Sequence, residues 1–173
     1  REVIEVATFR APPETGQHVD EQGRIVRDNV FGTLEQDAWR RDFTVNALYY
    51  NIQDFSIVDY TGGIADLQAG KIRLIGDVET RYREDPVRML RAIRFVGKLG
   101  LRLDDETEKW IPKLAELLID IPPARLFDES LKLYLSGNAA VTNELLGHYG
   151  VFKHLFPQTD ALLHEEQDGY PRI

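Results

Sequence analysis

The chain contains no cysteine and a single methionine in 173 residues. Disulfides and thiolate metal sites are thereby excluded, and the composition fits a cytoplasmic protein. Long apolar runs are also missing. Nothing approaches the roughly 20 residues that span a bilayer, and no charged-then-apolar leader opens the sequence, so neither a membrane nor an export route is expected. Histidine is scarce, and His18, His148, His154 and His164 lack a zinc spacing; His148 and His154 read as ordinary helix or loop residues. Positive charge is in the minority, with 21 Lys and Arg against 29 Asp and Glu and a net charge of −8. That balance argues against a chain that binds nucleic acid through its whole surface. What is present, 43% hydrophobic and 29% charged residues, suffices for one or two small globular domains with a real core.

The scarce positive charge is concentrated. Between positions 81 and 102, Arg81, Arg83, Arg88, Arg91, Arg94, Lys98 and Arg102 stand against Glu84 and Asp85, a local balance of +5 that leaves −13 for the remainder. A positive patch on an acidic body suits a focused site for a phosphate-bearing ligand. The run RYREDPVRMLRAIRF, residues 81–95, reads as a single capped helix. Asp85 can accept from first-turn N–H groups, and Pro86 suits the first helical position. Val87, Leu90, Ile93 and Val96 form an apolar stripe, with Arg88, Arg91 and Phe95 on another face. Two arginine forks one turn apart can grip a polyphosphate, and Asp85 with Arg88 offers acceptors and donors suited to a base edge. The alternative is a solvated basic face with internal Glu–Arg pairs.

A second cluster is Arg40-Arg41-Asp42-Phe43-Thr44-Val45-Asn46-Ala47. A carboxylate beside two arginines can be a plain ion pair at a helix junction or can place charge near a metal-bound nucleotide; the residues alone leave both open.

Along the chain, the first 100 residues mix strands with short helices and the rest is helical. REVIEVATFR alternates and is β-branched, which predicts a strand carrying Glu5 and Thr8 on opposite faces. Residues 11–29, polar and with Pro12, Pro13, Gly16 and Gly23, predict a mobile loop. Thr33 with Gln36 predicts a capping box for a helix through Asp37 and Trp39 toward Arg41. Strands are expected at 55–60 and 71–75, with a turn at 61–63. Beyond Gly100, Asp104 or Asp105 predicts the start of a helix carrying Trp110, Leu114 and Leu118. Pro122-Pro123 opens another, with Leu126, Leu131 and Leu135 inside and Gly137 at its end, and Asn138 begins a third reaching Gly150. From His164 onward a frayed tail is expected.

The ordered set EVATFR, RDNVFGTLEQDAWRRDFTVNALYY, DYTGGIADL, IRLIG and RYREDPVRMLRAIRF resembles the motif series of class II template-independent nucleotidyltransferases, the family of bacterial poly(A) polymerases and CCA-adding enzymes. The later IPPARLFDESLKLYLSG and the Tyr49-Tyr50 pair are similar to the bacterial poly(A) polymerase branch, extending the resemblance to about Pro157. The resemblance implies an α+β fold: an incomplete DNA-polymerase-β-like head at 1–80, an all-helical neck at 81–157 and a tail at 158–173. It implies nucleotide contacts by Arg41, Asp85, Arg88, Arg91 and Arg94, with Asp42 as an active-site carboxylate and Glu5 as a further candidate acid. ATP is the implied substrate, an RNA 3′ end the implied partner, and two Mg²⁺ ions the implied cofactors in the full-length enzyme. The implied reaction is AMP addition to RNA with pyrophosphate release. A CCA-adding enzyme is the nearest alternative, and a non-catalytic module binding RNA or nucleotide through residues 81–102 is the reading from another class. The family's GGxVRD and Asp-x-Asp segments, which precede EVATFR, do not occur here; the resemblance therefore implies a fragment, inactive alone, whose principal metal ligands lie upstream of residue 1.

Overall fold

A computed structural model describes residues 3–11, 30–164, 166–167 and 170–171. The loop expected at 11–29 lies, from residue 12 onward, outside the described residues. The chain divides into two compact units, one of Arg1–Ala69 with Arg73–Gly76, the other of Gly70–Ile72 with Asp77–Ile173.

The first unit begins as extended chain. Residues 3–9 form no strand, and Val3, Ile4 and Val6 are exposed. Among the described residues, backbone bonds from Ala11 to Val30 (2.8 Å) and from Gly32 to Phe9 (3.0 Å) give the segment partners at its end. The alternation at 1–10 states a preference, but β-propensity is realised only against a neighbouring strand.

Helix α1 (Leu34–Arg40) starts as expected. Thr33 Oγ1 accepts from the Gln36 N–H at 3.2 Å, and Gln36 Oε1 accepts from the Thr33 N–H at 2.9 Å. Such a box contributes about 1 kcal/mol. A 3-10 turn, Thr44–Asn46, leads to an antiparallel hairpin of β1 (Leu48–Asn51) and β2 (Ser56–Asp59), with Leu48 opposite Asp59.

The turn at 61–63 opens a helix, α2 (Gly63–Gln68). Asp59 organises it: Oδ1 accepts from the N–H groups of Thr61, Gly62 and Gly63, and Oδ2 from that of Ile64, all within 3.0 Å. Burial alone would raise the Asp59 carboxyl; the four backbone donors outweigh it and hold the group below its usual range. Gly62 is left-handed at φ 83°, and a Cβ on Gly63 would fall on the Thr44 carbonyl oxygen, so the pair is needed for shape. The apolar cluster of this unit is small: Ala38, Ala47 and Ile75, with Tyr49 packed against it. Phe43 is fully buried and bridges to Leu74.

In the second unit, β3 (Lys71–Ile72) pairs in parallel with β4 (Arg102–Leu103). The strand expected at 71–75 is thus shorter than its apolar run. The helix expected over 81–95 is two helices, α3 (Val78–Glu84) and α4 (Val87–Leu99). Asp85, before Pro86, is pushed to φ −149°, ψ 90°, as a residue preceding proline prefers. Asp77 caps α3 through the Thr80 N–H at 2.9 Å, and Gly100, left-handed at φ 66°, ends α4. Val87, Leu90 and Ile93 are buried together with Met89 and Ala92.

The helix expected after Asp104 is broken into α5 (Asp105–Lys109), α6 (Ile111–Leu114) and a 3-10 stretch, Ala115–Asp120. Pro112 opens α6 and lacks the N–H that a continuous helix needs. α7 (Pro123–Tyr134) buries Glu129 and Leu133 and half-buries Leu126, leaving Leu131 and Leu135 exposed. The inward face repeats at 126, 129 and 133, so a carboxylate occupies a place expected for leucine. α8 (Ala139–His148) follows, with α9 (Phe152–Leu155) and α10 (Pro157–His164). α4 packs on both α7 and α8; at the second contact a Cβ on Gly97 would sit 2.9 Å from Thr142 Oγ1. Beyond α10, β5 (Glu166–Gln167) and β6 (Tyr170–Pro171) pair antiparallel; the rest of the expected tail lies outside the described residues. Short sheets and many helices make the chain α+β.

Candidate functional site

In the first unit, α1 delivers Arg41 at its C-cap. Its Nε donates to Asp37 Oδ2 (3.1 Å) and the Tyr49 hydroxyl (2.9 Å), its Nη2 to Asp37 Oδ2 (2.9 Å) and its Nη1 to the Asn46 carbonyl (3.2 Å). Burial alone would depress the guanidinium, but Asp37 and Tyr49 reverse that and raise it further. Asp37 is buried; burial pushes its carboxyl up, while donors from Tyr49, the Arg10 backbone and Arg41 bring it below the ordinary carboxylate value. The Tyr49 phenol is pushed up to about 12, first by burial and then by its bond to Asp37. Asp42, half-buried, accepts on Oδ1 from the Phe43 N–H (2.9 Å) and Asn46 Nδ2 (3.1 Å). Glu5 lies exposed in the extended stretch, because the strand expected to carry it does not form.

A second polar knot braces this loop. Thr44 Oγ1 donates to Asp66 Oδ2 at 2.7 Å, and Arg73 grips both Asp66 oxygens through Nε and Nη2 at 3.1–3.2 Å. Three of the sequence segments, around positions 44, 66 and 73, therefore meet on one buried carboxylate.

In the second unit, Arg88 on α4 reaches back to α3. Its Nη1 donates to the Arg81 carbonyl (2.6 Å) and to Glu84 Oε2 (3.0 Å), and its side chain is only 11% exposed. Arg88 thus adds a second donor to the Arg81 carbonyl, which the Asp85 N–H reaches at 3.3 Å at the end of α3. Asp85 is gripped by Arg125 of α7 at 2.9 Å. Arg94 Nη1 lies 3.7 Å from the buried Glu129, which also accepts from Lys132 at 2.7 Å. Arg91 and Arg94 lie over the ring of Phe95, their Cζ atoms 5.6 and 5.5 Å from its centre.

Asp85, Arg88, Arg91 and Arg94 therefore share one helix and its entry, each with a fixed partner. Part of the positive balance counted over 81–102 is answered by Glu79, which pairs with Arg83, and by Glu129. A window along the sequence cannot see a partner 35 positions away.

No group of three or more potential metal ligands occurs among the described residues. Asp42 and Glu5 do not by themselves fit a two-metal site. No helix among them is long and apolar enough to cross a membrane. Three groups of structural weight carry no role in the sequence reading: Asp37, the Tyr49 hydroxyl and Arg125. Only the first had a local signal, as an acid inside a capping-box helix four positions before Arg41.

Two family models match the chain. The poly A polymerase head domain matches residues 1–73, and the probable RNA and SrmB-binding site of polymerase A matches residues 100–163. The poly(A) polymerase I of Haemophilus influenzae is 55% identical over 175 aligned residues, covering 98% of this chain and 39% of that protein. The CCA-adding enzyme of Latilactobacillus sakei is 43% identical over 129 residues, covering 75% of this chain and 31% of its own. Among solved structures, an apo form of a CCA-adding enzyme superposes with a TM-score of 0.75 at 32% identity, over 88% of this chain and 35% of that one. The chain spans about two fifths of the length of the first of these relatives.

Proposed function

The chain belongs to the nucleotidyltransferase family that holds bacterial poly(A) polymerases and CCA-adding enzymes, and we propose that its protein adds AMP from ATP to RNA 3′ ends. The observation that carries this reading is the gradient of likeness. Identity is 55% across 98% of the chain with a poly(A) polymerase, against 43% across 75% with a CCA-adding enzyme. In the reaction, the RNA 3′-hydroxyl oxygen bonds to the α-phosphorus of ATP, the bond from that phosphorus to the bridging oxygen breaks, and pyrophosphate leaves. The hydroxyl proton is lost to solvent or a base.

Two Mg²⁺ ions would supply Lewis-acid stabilisation of the entering and leaving oxygens, but the described carboxylates do not fit a site for them. The chain's own contribution is binding and orientation. Arg41 is a fixed fork suited to nucleotide oxygens, half-exposed on a buried anchor. The base edge is assigned in this reading to Asp85 with Arg88, which rest on Arg125 and on the Arg81 carbonyl and Glu84 respectively, and Arg91 and Arg94 supply positive charge along α4. In this reading residues 1–80 belong to the head and 81–157 to the neck, and the 173 residues alone do not catalyse.

RNA primer extension by the full-length gene product with Mg²⁺, comparing ATP alone with CTP plus ATP, tests the proposal. Long A tracts from ATP alone are expected. Extension that stops after restoring CCA on tRNA would assign the CCA-adding activity instead, and no extension would leave a binding module.

A further inference from the structure

Asp37 uses both carboxylate oxygens. Oδ1 accepts from the Arg10 backbone N–H at 3.1 Å. Oδ2 accepts from the Tyr49 hydroxyl at 2.6 Å and from Nε and Nη2 of Arg41 at 3.1 and 2.9 Å. Tyr49 in turn accepts from Arg41 Nε at 2.9 Å, and the Arg41 Cζ stands 5.1 Å from the centre of the tyrosine ring. The ring is fixed from two sides, packed on Ala38, Ala47 and Ile75 and met edge-on by Phe9 at 5.9 Å. Exposure is unequal across the pair: the Asp37 side chain is 7% exposed and that of Arg41 is 42%. The carboxylate is the buried anchor, and the cation faces outward.

A bare requirement for charge balance would be met by an ammonium group. Two oxygens along the Nε edge of a guanidinium do more, because they fix the rotation of a planar donor fork. Resting on the reading that Arg41 contacts the nucleotide, we infer that Asp37 and Tyr49 are positioning residues that set the plane of the Arg41 fork for its ligand. Asp37 also ties that fork to the backbone at Arg10, the end of the extended segment.

The test is labelled-ATP affinity by equilibrium dialysis, with KM and kcat for primer extension, on the full-length gene product carrying Tyr49→Phe, Asp37→Asn or Arg41→Ala. Tyr49→Phe keeps the packed ring and removes only the bridging hydroxyl. It is expected to weaken ATP about fivefold, mostly in KM, with the thermal midpoint nearly unchanged. Arg41→Ala is expected to weaken ATP tenfold or more. The double variant Tyr49→Phe/Arg41→Ala should bind ATP no more weakly than Arg41→Ala, since the hydroxyl acts through the arginine. A merely structural hydroxyl would lower the midpoint and leave ATP affinity alone. Loss of affinity in Arg41→Ala with none in Tyr49→Phe and Asp37→Asn overturns the positioning role and leaves the nucleotide contact standing. Unchanged affinity in Arg41→Ala overturns the contact, and the positioning role with it.

Discussion

The two units hold their candidate arginines by different means. In the first, short elements around a small apolar cluster are tied by single buried or half-buried aspartates. Asp37 gathers Arg10, Arg41 and Tyr49; Asp66 gathers Thr44 and Arg73; Asp59 gathers four consecutive backbone donors. In the second, α4 is fixed first by an apolar stripe, and its arginines are then trimmed by acids from neighbouring helices. The lesson concerns fault tolerance. A carboxylate that satisfies several donors at once is irreplaceable, whereas one ion pair among many on a well-packed helix is not.

The largest expected effect sharpens this contrast from the apolar side. Leu90→Ala, in the fully buried stripe of α4, should cost about 2–5 kcal/mol in urea denaturation. If the first unit depends on its polar knots as described, Asp66→Ala approaches that figure. It strands the buried Thr44 hydroxyl and releases Arg73, for a loss of about 2–3 kcal/mol; a loss under 0.5 kcal/mol would break the comparison. At the other end, Arg83→Ala removes an exposed pair with Glu79 and should change stability by no more than about 0.5 kcal/mol.

Smallest is a pH effect in the second unit. Burial and then Lys153 hold the His154 imidazole below its ordinary value of 6.5. Its neutral form is favoured on folding, so the contribution is present above pH 6.5 and is lost as pH falls through the lower folded value. His154→Gln should flatten the acid limb of a melting-temperature profile slightly; an unchanged profile would remove His154 from the account.

Local signals proved readable where the chemistry was local. The Thr33–Gln36 box and the starts near Pro123 and Asn138 are fixed by residues within a turn of each other. The start of α4 at Asp85-Pro86 is legible, with Asp85 Oδ1 accepting from the Val87 N–H at 3.3 Å; what the run 81–95 hides is that Arg81–Glu84 belong to a separate helix capped at Asp77. Leucine usually belongs in a core, which places Leu131 and Leu135 inside on sequence alone, yet Glu129 takes the inward place since Arg94 and Lys132 neutralise it. The sequence names candidate residues but not what holds them. Arg125, the partner of Asp85, and Glu129, the partner of Arg94, lie 40 and 35 positions away along the chain. Arg88 in particular carries a share of α3's stability that its place on α4 does not reveal.

Arg91 offers the cleanest test of whether α4 is a nucleotide-binding helix, because Arg88→Ala would also release the end of α3. The decisive measurement is the ATP dissociation constant of the full-length gene product and its Arg91→Ala variant, taken alongside their melting temperatures. The account predicts ATP binding weakened by about 1.5–3 kcal/mol, tenfold or more, with an unchanged melting temperature. Equal affinity in the two proteins would contradict it and reduce the basic face of α4 to a solvated surface.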